Sequence, residues 1–314
     1  MNKKRIMSTT VLAAAISALV GGAAGVANAT EPCIPDFGEC KVLIEINSTD
    51  GDIGFHFLMD GDDLVSASLM DPNGATIFSY MTSGPLNEQF LTETFAESAE
   101  PLCWEPEPDD EEYGEPVVTL AQFLERWDVY DDDIYTFEGL DGDGEVVAGA
   151  TSLTFDLPAA PLDVEYEAER DGNDVEGEIS WEAGNDLGEC ADYDELTDLV
   201  ESGDLPQHPE DVMVAAWEIV LEPDVDDGDP LGSMKYVVRI PGYSEELEVE
   251  VPDDYLETLP DNTPAKAEVG AIGMDDNATF TEIDEICLND TDPKDKDRDG
   301  LNGCEFEIEE DDDD

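Results

Sequence analysis

Positive charge is what this sequence lacks most. It holds 12 Lys and Arg against 83 Asp and Glu, a formal net charge of −71. Three of the twelve, Lys3, Lys4 and Arg5, fall in the first five residues, which leaves nine for the rest of the chain. A surface so short of cations repels nucleic-acid backbones and anionic membrane surfaces, so no nucleic-acid partner is expected. It also repels itself, which destabilises the compact state unless salt or bound cations screen it. Adaptation to a saline habitat and multivalent cation capture both fit such a surface.

Histidine is nearly missing too, with only His56 and His208. A serine triad needs an imidazole base. His56 sits opposite a regular apolar stripe and reads as an exposed strand position, and His208 reads as part of a proline-flanked loop. There is no G-x-S-x-G, no H-E-x-x-H, no phosphate-cradling glycine loop and no C-x-x-C. These absences remove the locally marked hydrolase, metalloprotease, nucleotide and cysteine-zinc sites. Carboxylate pairs arise everywhere by chance among 83 acids, so no glycosidase pair is marked either.

Long apolar runs are absent apart from one. Val11–Val20 follows the basic start and precedes Ala27-Asn28-Ala29, which together read as a secretory signal peptide over residues 1–29. The run is broken by glycines and too short for a membrane span, so no membrane insertion is expected. Cys33 follows Thr30, Glu31 and Pro32 rather than the cut itself, against a lipid anchor. The mature chain reads as soluble and exported, periplasmic or extracellular. Six cysteines fit an oxidising compartment. Cys33 and Cys40 are close enough to pair locally, while Cys103, Cys190, Cys287 and Cys304 admit three pairings.

Disorder, the usual outcome for so acidic a chain, is excluded by what is present. Hydrophobic residues make up 40% of the sequence, with four Trp, nine Tyr and eleven Phe. They fall at period two, the mark of half-buried strands. "KVLIEIN" alternates Val42, Ile44 and Ile46, and "DIGFHFLM" puts Ile53, Phe55, Phe57 and Met59 on one face. "LVSASLM" and "ATIFSYM" flank the turn Asp71-Pro72-Asn73-Gly74. Leu86–Glu97 fits a short helix or a strand with a loop. The proline-rich, acidic Glu100–Pro116, which carries Trp104, reads as an exposed excursion. Thr119 opens a capped helix, "LAQFLERW", with Leu120, Phe123, Leu124 and Trp127 on one face. "IYTFEGL" and "EVVAGATSLTFDL" are strands joined at Asp141-Gly142-Asp143-Gly144.

A boundary is placed near Pro158–Asp163. Beyond it "VEGEISW", "VMVAAWEIVL" (Met213, Ala215, Trp217, Ile219, Leu221), "MKYVVRI", "ELEVEVP", "AKAEVGAI" and "TFTEIDEICL" continue the strand pattern. An insertion, Ala183–Asp211, carries a helix near 192–202, capped by Asp192 with Glu195 three residues on and stopped at Gly203. Asn277-Ala278-Thr279 matches a glycosylation acceptor pattern by coincidence.

Trp181, Trp217, "LEVEVP" and "AKAEVGAI" are similar to the strand succession of a fibronectin type III domain, a seven-stranded β-sandwich. Ala265-Lys266 stand where that family usually carries a core tyrosine. With "DGDIGFHFLMDGDDL", "LAQFLERW" and "LTFDLPAAP", residues 41–288 resemble a family of uncharacterised exported bacterial proteins. In that family an N-terminal β-rich region precedes a fibronectin-type sandwich. The resemblance implies fold and export and carries no activity.

The expected fold is therefore mostly β. A signal peptide (1–29) precedes an N-terminal antiparallel β-rich domain with one packed helix (30–157). A fibronectin type III-like β-sandwich (158–290) and an acidic tail (291–314) follow. That tail holds the one spacing that points to chemistry. Asp295, Asp297 and Asp299 alternate, Gly300 turns the chain, and the Leu301 carbonyl follows, as in an oxygen-lined calcium loop. Phe306 stands where such a loop wants its final bidentate Glu, and Glu305 flanks it. Two readings stand: a single weak Ca2+ loop built from Asp295, Asp297, Asp299, Leu301 and Glu305, with affinity of roughly 0.1–1 mM, or a solvated tail. The leading function is an exported, non-catalytic interaction module for an extracellular protein or polymer. The alternatives are a hydrolase of extracellular polymers acting through unmarked carboxylates, and a salt-adapted cation binder.

Overall fold

The computed structural model describes residues 33, 37–104, 117–127, 134–171, 174–225, 228–244 and 246–289, with backbone alone at 169–171, 174 and 285. The N-terminal segment and the acidic tail lie outside these residues.

Alternation in the first strands translates directly into a hairpin. β1 (Glu39–Asn47) pairs antiparallel with β2 (Asp52–Met70), so that Val42, Ile44 and Ile46 meet Phe57, Phe55 and Ile53 on one buried face. The Asn47 side chain accepts from the backbone N–H of Thr49 and Asp50 to close the turn. β2 is 19 residues long and changes partners midway. Up to Asp60 it pairs with β4 (Leu91–Glu97); from Leu64 on it pairs with β3 (Thr76–Met81) and β5 (Ile134–Asp141). The ladder is irregular between, where Asp63 takes a φ of 55°. β6 (Val146–Ser152) adds to β5. Leu86–Glu97 resolves as both expected elements in turn, a short helix α1 (Pro85–Gln89) and then β4.

Helix α2 (Leu120–Trp127) buries Leu120, Phe123 and Leu124, and Trp127 stacks on Phe55 with ring centroids 4.0 Å apart. This is the one packed helix expected. The Cys33–Cys40 disulfide closes over the same core.

The second half is a sandwich. β7 (Leu162–Asp171), β8 (Asp174–Glu182) and β11 (Glu248–Val251) form a sheet in the order β11-β8-β7. It faces β9 (Val214–Pro223), β10 (Tyr236–Pro241), β12 (Pro264–Gly273) and β13 (Ala278–Cys287), in the order β10-β9-β12-β13. First, second and fifth strands on third, fourth, sixth and seventh is the fibronectin type III arrangement. Val175, Ile179 and Trp181 meet Trp217, Ile219, Leu221 and Val269 between the sheets, with the two indoles 5.8 Å apart. Burying each such side chain stabilises by about 1.5–3 kcal/mol. In place of a tyrosine on β12, Tyr255 of the short helix α4 (Asp253–Leu256) donates its hydroxyl to the Met234 carbonyl. The inward stripe of β9 begins later than the alternation implies: Met213 precedes the strand and is 69% exposed, and Ala215 is exposed as well.

Two features tie the halves together. β13 pairs in parallel with β1, Glu45 opposite Ala278 and Asn47 opposite Phe280, which makes one ten-stranded sheet. The buried Asn277 fixes this seam: its side-chain oxygen accepts from the Ile44 N–H at 2.8 Å, and its amide donates to the Thr154 carbonyl. The segment after β6 is packed rather than loose, with Ala159 and Ala160 buried and the Pro158 and Pro161 carbonyls accepting from Thr279 and Thr281.

The insertion crosses over as well. Its helix α3 (Tyr193–Ser202) has the expected capping box, Asp192 with Glu195, and ends at Gly203 with φ 89°. Leu187, Ala191, Leu196 and Leu205 join the N-terminal core, and Cys190 bonds Cys103. Cys287 is also disulfide-bonded. Among the described residues no helix is long and apolar enough to cross a membrane.

Candidate functional site

The expected calcium ligands Asp295, Asp297, Asp299, Leu301 and Glu305 fall outside the described residues. Asp141–Glu145 is a hairpin turn, its Asp141 carboxylate accepting from the N–H groups of Asp143 and Glu145. Trp104 covers Gly51, where a Cβ would lie 2.3 Å from the ring, and donates to the Asp50 carbonyl. His208 is buried against Tyr193, ring centroids 4.2 Å apart.

His56 corrects the sequence expectation. It is 1% exposed, not a solvated strand position. Its face of β2 is the one turned away from the apolar core, but β4 on one side and β1 on the other enclose it. Leu43 stands opposite on β1, and the Phe95 ring of β4 packs edge-on at 5.7 Å. The imidazole leans along its own strand over Gly54, where a Cβ would lie 2.8 Å from Nε2 and 3.1 Å from Glu100 Cγ. Glycine within a strand marks such close approaches.

Two carboxylates converge on that ring. Glu45 of β1, Glu100 beyond β4 and His56 offer ligand atoms within 4.8 Å of one another. Glu100 Oε1 lies 3.6 Å from His56 Nε2, beyond hydrogen-bond reach. Neither ring nitrogen has a hydrogen-bond partner. Glu45 and Glu100 also line a small cavity of about 60 Å³, together with Asp50, Asp52, Lys266 and Glu282. Burial, reinforced by Glu100, pushes the carboxyls of Glu45 and Asp52 up to about 7 each. Burial alone would lower the His56 pKa, but Glu100, Glu45 and Glu97 outweigh it and hold it above the ordinary value. The pattern was not visible in the sequence because Glu45, His56 and Glu100 meet only through the β1–β2–β4 register. The glycine two residues before a strand histidine was the available signal.

Further along the same outer face, cations stand against buried acids. Lys266 donates to Glu282 at 2.8 Å and reaches Glu222 and Glu268 at 3.4 and 3.7 Å. Lys235 pairs with Glu222, and Arg239 with Glu218. Phe280 lies across Gly270 in their midst, beside Ile272 and Ala278.

The outer face of the three-stranded sheet is built differently. Glu250, Glu178 and Glu167 stand directly opposite one another across β11, β8 and β7. With Glu176 and Asp253 they line an open groove of about 660 Å³, and no Lys or Arg is among its described lining residues. Slight burial and the neighbours Glu248, Glu250 and Glu167 raise the pKa of Glu178.

No family model and no curated protein matches the chain. Two solved structures, both titled as cytokine receptor complexes, align at 12% identity. They cover 75% and 78% of this chain and 91% and 96% of their own, with TM-scores of 0.22 and 0.23. Likeness at that level carries no argument. The fold assignment rests on the strand order and the shared core described above.

Proposed function

We propose that this is an exported, non-catalytic interaction module whose acidic sheet face takes a positively charged extracellular protein or polymer. The observation that carries this reading is the row Glu250–Glu178–Glu167. Like charges directly opposite in a sheet are destabilising, yet three stand in line with no cation among the described residues lining their groove. A cationic partner would relieve that repulsion, and the field of so acidic a chain would steer it in. Disulfides support an oxidising compartment. The same reading keeps Asp295, Asp297, Asp299, Leu301 and Glu305 as a loose calcium loop. For that loop, millimolar CaCl2 should raise the melting temperature more than NaCl of equal ionic strength, and equal shifts would remove it.

The test of the sheet face is binding of fluorescent polylysine at graded NaCl. The E167Q/E178Q/E250Q variant should bind at least fivefold more weakly than a control triple on the exposed face of α3, D194N/D198N/E201Q. Equal losses in the two variants would mean that net charge alone attracts the polymer, and the assignment of this face would fall.

A further inference from the structure

We infer that Glu45, His56 and Glu100 form a binding site for a divalent transition metal ion of the zinc class, with His56 Nε2 and one oxygen from each glutamate as ligands. The three ligand atoms already lie within 4.8 Å of one another, and Nε2 and Glu100 Oε1 are 3.6 Å apart. Bonds of roughly 2.0–2.2 Å in a tetrahedron place ligand atoms about 3.3–3.6 Å from each other. Small rotations of the two glutamates close the difference, and Glu100, with a side chain 34% exposed, is free to make one.

Carboxylates near one another are common in this chain and indicate nothing by themselves. The independent observation is the imidazole. His56 is buried to 1% exposure with both ring nitrogens lacking a hydrogen-bond partner, and it is aimed at the glutamates. Buried polar groups are nearly always satisfied, and an exception calls for a bound ion or water as partner. Gly54 supplies the space, since any side chain there would strike Nε2. Asp52 lines the adjoining cavity and stands ready as a further ligand or as the acceptor for a metal-bound water. Lys266, which lines that cavity too, is held by Glu282, Glu222 and Glu268, so its charge is already matched.

The donor set decides the class of ion. Calcium and magnesium ask for six or more oxygens. An imidazole nitrogen with two carboxylates in an enclosed site suits the borderline ions, and zinc stands high among them in affinity.

Having only two histidines makes a direct test practical. Full-length protein with ¹⁵N-labelled histidine, stripped with EDTA, is titrated with ZnCl2 in the presence of excess CaCl2 to occupy exposed carboxylates. One equivalent of zinc should move the His56 Nε2 resonance into the metal-bound range and leave His208 in place. Chelator competition should show affinity falling at least about 10–100-fold in both H56Q and E100Q, since losing even an outer-sphere partner of a ligand costs that much. Glu100 is partly exposed, so E100Q should keep its fold by circular dichroism even if H56Q does not. No shift at His56, equal shifts at both histidines, or unchanged zinc affinity in folded E100Q would overturn the site.

Discussion

The outer faces of the two sheets handle the same excess of acid in opposite ways. On the ten-stranded sheet Glu218, Glu222 and Glu268 are buried, and Arg239, Lys235 and Lys266 stand against them. On the three-stranded sheet Glu167, Glu178 and Glu250 remain in solvent, and no cation is among the described residues lining their groove. A chain with so few cations places them where desolvation makes an unpaired charge costly, and leaves exposed repulsion to salt. At His56 two carboxylates converge on a buried imidazole, and among the described residues neither Glu45 nor Glu100 has an ion pair with a lysine or arginine. The metal ion proposed there would supply the missing positive charge, whereas the exposed row on the three-stranded sheet is left to salt.

The largest effect expected from this difference is at Lys266. K266M keeps most of the aliphatic packing and removes the ammonium shared by Glu222, Glu268 and Glu282. Breaking a buried charge group by deleting one partner costs about 3–5 kcal/mol. Urea unfolding at fixed salt should show a loss of that order, and E268Q in the same background should recover part of it. A loss below 1 kcal/mol in K266M would mean these acids are neutral already, and the two faces would differ in exposure alone.

Much of this architecture was legible in the sequence, because strands and caps are local. Period two located β1, β2, β9 and β12, and Asp192 with Glu195 announced α3. The seam between β1 and β13 was not legible, since it depends on Asn277 reaching Ile44 across 233 residues. The packing of α3 on the N-terminal core was hidden for the same reason: the helix belongs to the sandwich by sequence and to the other core by contact. The burial of His56 followed from β4, whose strand character could not be separated from a helix by pattern alone.

A smaller effect distinguishes the faces by pH. Burial raises the pKa of Asp275, in the turn between β12 and β13, from an ordinary 3.8 to about 6, with Asp156 and Asp276 adding to it. The folded state therefore binds more protons than the unfolded state between those values, and stability falls as pH rises through about 6. The contribution is fully present below about 4 and lost above about 6. Melting temperature should thus rise as pH is lowered from 7 to 5, and D275N should flatten that slope. An unchanged slope in D275N would assign the rise to the other raised carboxyls, Glu45 and Asp52, and to the general charge of the chain.

The smallest effect is at Glu178, and its dependence on salt is what makes it informative. E178Q removes the middle carboxylate of the row and should stabilise by about 0.2–0.5 kcal/mol at low ionic strength, since like charges opposite in a sheet repel by that order. The Debye length falls to about 3 Å at 1 M salt, which screens exposed charges at cross-strand distance. The gain from E178Q should then vanish, while the loss from K266M, made among buried groups, should largely persist. If both effects fade together in salt, the acids around Lys266 are as well solvated as Glu178, and the distinction between the two faces fails.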